Sequence, residues 1–158
     1  MQHIVKATIK NPVLKRVGYY MYSFLCKLPL SDKFSLMFTD FEGFRYHGTF
    51  HDLWRFVGPF EPLTYKFLVE NARECDVFLD VGAHIGIYTI RLAQRVLKVI
   101  ALEPEPRNYN FLLKNIAING VKNKVIALPI VASDKDGYAD LCVKKVLEHT
   151  LSKIKEIA

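Results

Sequence analysis

The stretch "DVFLDVGAHIGIYTI", residues 76–90, decides the fold class of this protein. Its first half is an apolar run without polar alternation, as expected for a strand buried in a parallel sheet. The run breaks at Asp80 and at two glycines four residues apart, Gly82 and Gly86, and the chain then becomes helix-like. This order predicts a ligand-binding turn at the carboxyl end of a strand, because parallel sheets bind ligands there.

Working outward, the pattern predicts a β-α-β-α-β unit followed by a turn, a short strand and a terminal helix. The strands are expected over 77–81, 98–103, 124–132 and 138–143, and the helices over 86–96, 106–120 and 146–158. Before the unit we expect a helix over 12–28, a hairpin over 34–50 and a helix over 59–73. Strands that alternate with helices indicate an α/β fold with a parallel sheet. The predicted divisions are an N-terminal region, 1–73, a binding unit, 74–143, and a helical tail, 144–158.

The composition is that of a soluble globular protein, with 158 residues, 51% hydrophobic and 24% charged. Three scattered cysteines form no CxxC pair, which argues against a disulfide framework or a zinc knuckle and predicts a cytoplasmic location. We expect no signal peptide and no transmembrane helix. The net charge of +6 is concentrated in the first 30 residues, which hold five basic residues and no acid. This segment is either a solvated basic face or a contact for an anionic membrane surface or a polyanion.

The residues of the turn indicate which nucleotide it binds. His84 takes the place of the middle glycine of a dinucleotide-binding turn. A side chain at this position would crowd a pyrophosphate, whereas the amino-acid tail of S-adenosylmethionine is more compatible with it. Asp80 could accept from the ammonium group of that tail. Glu103 ends the next strand and could accept both ribose hydroxyls, which argues against NADP but leaves NAD open. Pro104 would fix the loop under the ribose.

Three segments together resemble the FkbM family of S-adenosylmethionine-dependent methyltransferases. They are "FLDVGAHIGIYTIRLAQ", "VIALEPEPRNYNFLLKNIAINGV" and "ALPIVASDKDGYADL", and the resemblance runs from about Pro59 to Val143. It implies a class I methyltransferase fold, which is Rossmann-like, with S-adenosylmethionine as cofactor. It also implies O-methylation of a sugar-containing or other small metabolite, so that the partner would be a small-molecule or glycan acceptor.

Carried over by position, the resemblance assigns cofactor contacts but no catalytic residue. The methionine end would be held by Asp80, Gly82, Ala83, His84 and Gly86. The ribose would be held by Glu103 and Pro104, and the adenine would be bordered by Ala132, Ser133 or Asp134. Glu61 and Tyr65 would close over the cofactor, although helix packing or capping accounts for them equally well. His47, His51 and Asp52 form a small cluster, but no further ligand is spaced to join them, and we predict no metal site.

The chain departs from the family after the third strand. An Ile-Asp-x-Glu-Gly-type motif on a fourth strand is absent, so the sheet is expected to be truncated after its third to fourth strand. An open central edge invites association. Three explanations remain open: the chain is a fragment, strands within 34–50 cover the edge, or two chains complete one another as a homodimer.

Three alternative functions remain. The run "ALEPEPRNYNFLLKNIAINGV" is also similar to tRNA guanine-methylating enzymes, and the basic N-terminus would suit RNA. A nucleic acid partner is the less favoured expectation, because the 106–120 helix carries no stripe of lysine and arginine. The missing fourth-strand motif would fit a non-catalytic interaction module. An NAD-binding module is disfavoured by His84 and by the Glu103–Pro104 pair.

Overall fold

The computed structural model describes residues 20–21, 24, 35–56, 60–72, 77–144 and 151–156. Of the predicted helix over 12–28 it describes only residues 20, 21 and 24, which are helical. The basic cluster of the first 30 residues lies outside the described residues.

The N-terminal region forms a hairpin and two helices. Strands β1 (Leu36–Thr39) and β2 (Arg45–Gly48) pair antiparallel, as predicted. Asp40 stabilises the turn between them, because its Oδ1 accepts from the backbone N–H groups of Glu42 and Phe44 at 2.9 and 3.0 Å. A 3-10 helix (Phe50–Arg55) and helix α1 (Pro62–Asn71) follow.

A three-stranded parallel sheet forms the centre of the molecule, in the order β3-β4-β5. Its strands and crossover helices match the predicted β-α-β-α-β unit, with boundaries that shift by a few residues. In chain order they are β3 (Val77–Val81), α2 (Ile87–Ala93), β4 (Lys98–Leu102), α3 (Pro106–Ile118) and β5 (Val125–Leu128).

The two faces of this sheet have different environments. Val99 and Ala101 of β4 are buried in the same cluster as Ile90 of α2 and Leu112 of α3. Residues on the opposite face follow the strand alternation and remain open, with Leu79 of β3 55% exposed. Among the described residues the hairpin does not pair with β3, so strand pairing by residues 34–50, one of the three explanations left open, does not account for that edge. The hairpin instead bonds to α3 through side-chain amides, which satisfy its backbone without extending the sheet.

The C-terminal part forms a second hairpin. Strand β6 (Ala139–Lys144) pairs antiparallel with β7 (Leu151–Glu156). The strand predicted over 138–143 is confirmed, but the terminal helix predicted over 146–158 is wrong for 151–156. Pairing with β6 overrides the helical propensity of this segment, whose short apolar pattern fits either period. No helix in the described part of the chain is long and apolar enough to span a bilayer.

Candidate functional site

The turn after β3 is fixed to the end of the neighbouring strand. The backbone N–H groups of Gly82 and Ala83 both donate to the carbonyl of Leu102, at 2.9 and 3.0 Å. Leu102 is the last residue of β4, so the two strand ends meet at one edge of the sheet. This brings the acids Asp80 and Glu103 to the same edge, as the sequence predicted.

The two glycines of the turn serve different physical purposes. Both have left-handed backbones, with φ of 78° at Gly82 and 91° at Gly86. A Cβ on Gly86 would lie 2.5 Å from Cδ1 of Leu112, so Gly86 is required for close packing against α3. A Cβ on Gly82 would meet no atom within 4 Å. Gly82 therefore leaves open space beside the turn, where a ligand can approach the backbone.

A cavity of roughly 270 Å³ opens beside this turn. Five of the predicted cofactor residues line it, namely Glu61, Asp80, Gly82, Ala83 and His84. Five further lining residues were not predicted, namely Arg55, Phe60, Ile85, Ile87 and Tyr88. The cavity is slightly smaller than the usual pocket for a drug-sized ligand, about 300 Å³ or more. Its size suits one half of a nucleoside-amino-acid cofactor better than the whole.

Asp80 is buried at the floor of this site. Its Oδ2 accepts from the hydroxyl of Thr89, which is itself fully buried. Burial raises the pKa of Asp80, and the hydrogen bond from Thr89 opposes this rise. A carboxylate has about four lone-pair sites, so Asp80 can still accept from a ligand ammonium group.

Glu103 is held rigidly beside the turn. Its Oε2 accepts from the backbone N–H of His84 at 2.7 Å, and its Oε1 accepts from that of Glu105 at 2.9 Å. Burial raises the pKa of Glu103, while these two backbone hydrogen bonds lower it. The carboxylate does not line the cavity but adjoins His84, which does. It is therefore preorganised next to the site, with lone pairs available for ribose hydroxyls.

His84 has an unusual backbone and a neutral ring. Its φ of 54° is left-handed, which is uncommon for a residue other than glycine. Nδ1 is buried and has no hydrogen-bond partner, although Oδ1 of Asp52 lies 3.8 Å away. Burial lowers the pKa of His84 to about 4, against the opposing effect of Asp52. The imidazole is therefore uncharged at neutral pH. Within the described residues, no group of histidine, cysteine and acidic side chains could hold a metal ion.

Glu61 and Tyr65 separate in the structure. Glu61 occupies the N-cap position of α1 in a left-handed conformation, without a capping hydrogen bond from its side chain, and its Oε2 accepts from the hydroxyl of Tyr88 at 2.7 Å. This bond places Glu61 on the cavity wall. Tyr65 donates its hydroxyl to Glu42 and stacks its ring over the guanidinium of Arg91, and it does not line the cavity.

Four of the predicted cofactor residues do not line the cavity, namely Gly86, Glu103, Pro104 and Ser133. Ser133 is exposed after β5, and its Oγ accepts from the backbone N–H of Lys135 at 3.3 Å. Arg55 and Phe60 were missed because they come from the 3-10 helix and from the segment before α1, which reach the turn by long-range packing. Tyr88 lies within residues 76–90, and its position two residues after Gly86 could have indicated that it lines the site.

Comparison with known proteins identifies a family. A model of the TRM5/TYW2 methyltransferase domain matches residues 65–156, which is more than half of the chain. A tRNA(Phe) (4-demethylwyosine(37)-C(7)) aminocarboxypropyltransferase of Methanocaldococcus jannaschii is 36% identical over 67 residues. That alignment covers 41% of this chain and 26% of the relative.

An uncharacterised protein of the same organism is 31% identical over 83 residues, covering 49% of this chain and 30% of that protein. The chain thus spans less than a third of the length of these two relatives. Among solved structures, Pyrococcus horikoshii TYW2 in complex with MeSAdo is similar at 26% identity with a TM-score of 0.48. The similarity covers 65% of this chain and 38% of that one.

These matches confirm part of the sequence interpretation and correct the rest. The class I methyltransferase fold and the assignment to the methyltransferases are confirmed, as is S-adenosylmethionine as the cofactor of the matching family. The FkbM resemblance is wrong, because the matching family is TRM5/TYW2. O-methylation of a sugar or small metabolite, with a small-molecule or glycan acceptor, is wrong as well, because the named relative is a tRNA-modifying enzyme.

Proposed function

The chain belongs to the TRM5/TYW2 methyltransferase domain family, and we propose that it binds S-adenosylmethionine and serves the transfer of a group from it to tRNA. The turn over residues 82–86 and the acids Asp80 and Glu103 would hold the cofactor. The acceptor class rests on the named tRNA-modifying relative. Both the cofactor contacts and the acceptor are proposals for this chain.

The observation that carries the proposal is the pairing of two strand-end acids across one glycine turn. Asp80 at the end of β3 would bind the ammonium group of the cofactor. Glu103, fixed by the backbone N–H groups of His84 and Glu105, would accept the ribose hydroxyls. The open space at Gly82 would admit the methionine tail between them. Ser133 and Pro104 are proposed to border the adenosine part.

The cofactor would supply an electrophilic carbon on a positively charged sulfur. The chain's own residues would position that carbon and exclude water from it. Phe60, Ile87 and Tyr88 contribute apolar surface to the wall of the cavity. The neutral imidazole of His84 places no positive charge beside the positively charged sulfur. Attack by a nucleophilic atom of a base would form one new bond to carbon. The carbon–sulfur bond would break with its electron pair left on sulfur as a neutral thioether, and the modified base would release the displaced proton to solvent.

The transferred group is either the methyl group or the aminocarboxypropyl group of the cofactor. The family is named for methyl transfer, whereas the related Methanocaldococcus protein is named for aminocarboxypropyl transfer. Both groups sit on the same sulfur, and the choice depends on which carbon faces the acceptor. Cofactor labelled separately in the methyl and in the carboxyl carbon distinguishes them.

Calorimetric titration of the 158-residue chain with S-adenosylhomocysteine tests the cofactor site. We expect micromolar binding that Glu103→Gln weakens at least tenfold, because the ribose loses a charged acceptor. Glu70→Gln, an exposed acid of α1, is the matched control. Incubation with unmodified tRNA transcript and the labelled cofactors then tests the acceptor. The absence of binding by the folded wild-type chain would refute the cofactor site, and transfer to a sugar but not to tRNA would refute the acceptor.

A further inference from the structure

A second candidate site adjoins the cavity at the end of the 3-10 helix. Trp54 is 45% exposed, and its ring meets Phe60 edge-to-face with centroids 5.3 Å apart. Phe60 in turn lies 6.1 Å from Tyr88. Phe60 and Tyr88 both line the cavity. The three rings therefore form a continuous row that begins in the cofactor pocket and ends at an exposed indole.

Arg55 adds a positive charge behind this row. Its guanidinium carbon lies 4.7 Å from the centre of the Trp54 ring and 5.3 Å from that of Phe60. The guanidinium thus lies against the indole, and 45% of the Trp54 surface remains exposed to solvent beside the contacts with Arg55 and Phe60. The Nε atom of Arg55 is buried without a hydrogen-bond partner, 3.6 Å from Oδ1 of Asp52. Arg55 also lines the cavity, so the charge and the rings belong to one wall.

An exposed aromatic ring beside a cation is the chemistry that binds unstacked nucleobases. Every base offers a π-face to an aromatic side chain, and arginine contributes both cation–π contact and attraction to phosphate. An enzyme that modifies a base must bring that base out of its stack and up to the cofactor. From the row and its charge we infer that Trp54 is the stacking platform for a nucleobase of the acceptor RNA, with Arg55 beneath it.

The inference deepens the proposed function and rests on it for the nature of the acceptor. It does not follow from the family match, which begins at residue 65 and leaves Trp54, Arg55 and Phe60 outside. The competing occupant is the adenine ring of the cofactor itself, which could stack on the same indole. The test must therefore separate RNA binding from cofactor binding at this one side chain.

Trp54 is the single tryptophan of the chain, so its fluorescence reports on this site alone. We would titrate the wild-type chain with a tRNA transcript, and separately with S-adenosylhomocysteine, while exciting the indole selectively. We expect the transcript to quench the emission strongly, because a base stacks on the ring. We expect S-adenosylhomocysteine to change the emission little. Quenching by S-adenosylhomocysteine alone would assign Trp54 to the adenine and overturn the inference, and so would no quenching by either ligand.

Affinity measurements on variants complete the test. Trp54→Ala should weaken transcript binding about 5- to 150-fold, the range expected for losing one base–aromatic stack, and should leave S-adenosylhomocysteine affinity within twofold. Trp54→Phe should recover most of the RNA affinity. Tyr138→Ala, which removes an aromatic ring that is 94% exposed after β5, should change neither. Equal RNA affinity of Trp54→Ala and wild type would overturn the inference.

The two proposals fail in distinguishable ways. If the chain binds transcript with quenching but transfers nothing to it, the stacking platform stands and the proposed transfer to tRNA falls. If wild type and Trp54→Ala transfer the group to tRNA equally well, the proposed function stands and the platform falls.

Discussion

Asn115 and His47 are joined by two hydrogen bonds that imitate the pairing of neighbouring strands. The Oδ1 of Asn115 accepts from the backbone N–H of His47, and its Nδ2 donates to the His47 carbonyl at 2.9 Å. Asn119, one helical turn later, makes the same pair of contacts with Arg45, at 3.0 and 2.6 Å. Arg45 and His47 lie two residues apart on β2, so their backbone groups point to the same side of the strand. The side chains of Asn115 and Asn119 therefore bond to this edge of β2 as a neighbouring strand would. Nδ2 of Asn115 also donates to the carbonyl of Ile85 at 2.8 Å, which links the hairpin to the cofactor turn.

Asn115→Ala is expected to destabilise the protein by about 3 kcal/mol, because it leaves the backbone groups of half-buried His47 and of fully buried Ile85 without these partners. The free energy of unfolding in urea measures this. Asn119→Ala is the matched control, since its site is only half-buried, and we expect about 1 kcal/mol there. Equal losses at the two positions would show that the link to Ile85 contributes nothing.

The glycine turn separates packing from ligand binding. Gly86→Ala should cost about 3 kcal/mol in unfolding free energy, because the new Cβ would clash with Leu112 and the backbone is left-handed. Gly82→Ala should cost only the strain of about 1–2 kcal/mol, since its Cβ meets nothing. Gly82→Ala should nevertheless reduce S-adenosylhomocysteine affinity at least tenfold by filling the ligand's space. Calorimetry on the folded Gly82→Ala variant checks this, and unchanged affinity would place the ligand elsewhere.

The sequence was sufficient for the parts of this site that depend on local pattern. The apolar run before Asp80, the glycine spacing and the acid directly after β4 each follow from strand and helix periods, and the structure has them at the predicted places. Arg55 and Phe60 could not be predicted, because they reach the turn through packing between distant parts of the chain. The segment 151–156 was misassigned because its strand conformation depends on pairing with β6.

The family assignment went wrong for a related reason. The quoted motifs, from Asp80 and Gly82 to Glu103 and Pro104, describe how a class I sheet holds its cofactor. Different methyltransferases share that requirement, whatever they modify. Residues that contact the acceptor decide the substrate class, and no such residue was included in the motifs that carried the FkbM resemblance.

The buried ion pair of Arg91 and Asp40 is expected to stabilise the N-terminal region on the core. Both side chains are 1% exposed, and Nε of Arg91 lies 2.9 Å from Oδ2 of Asp40. Arg91→Met should lower the unfolding free energy by about 3–5 kcal/mol, because it leaves a buried carboxylate without its partner. The exposed Lys66–Glu70 pair of α1, at 3.8 Å, is the control, and Lys66→Met should cost less than about 1 kcal/mol. Similar losses in the two variants would contradict this account.

The buried carboxylate of Asp80 should lower the stability of the folded protein while it contributes to cofactor binding. The effect on stability should depend on pH. Burial raises the pKa of Asp80 in the folded state above its usual value of about 4, so the protonated form is favoured there. A raised carboxyl pKa contributes stability below the unfolded pKa, and this contribution is lost as pH rises through the folded pKa. Asp80→Asn removes that loss while keeping an acceptor for Thr89.

Below about pH 4, the melting temperature of Asp80→Asn should therefore equal that of the wild type. As the pH increases toward neutral, the variant should melt at a higher temperature than the wild type. At neutral pH the same variant should bind S-adenosylhomocysteine at least tenfold more weakly, because the ligand ammonium loses its carboxylate. Asp136→Asn, in the exposed segment after β5, should show neither change. A melting difference that stays constant with pH, or that favours wild type near neutrality, would mean that burial of the Asp80 charge does not govern the stability of this site.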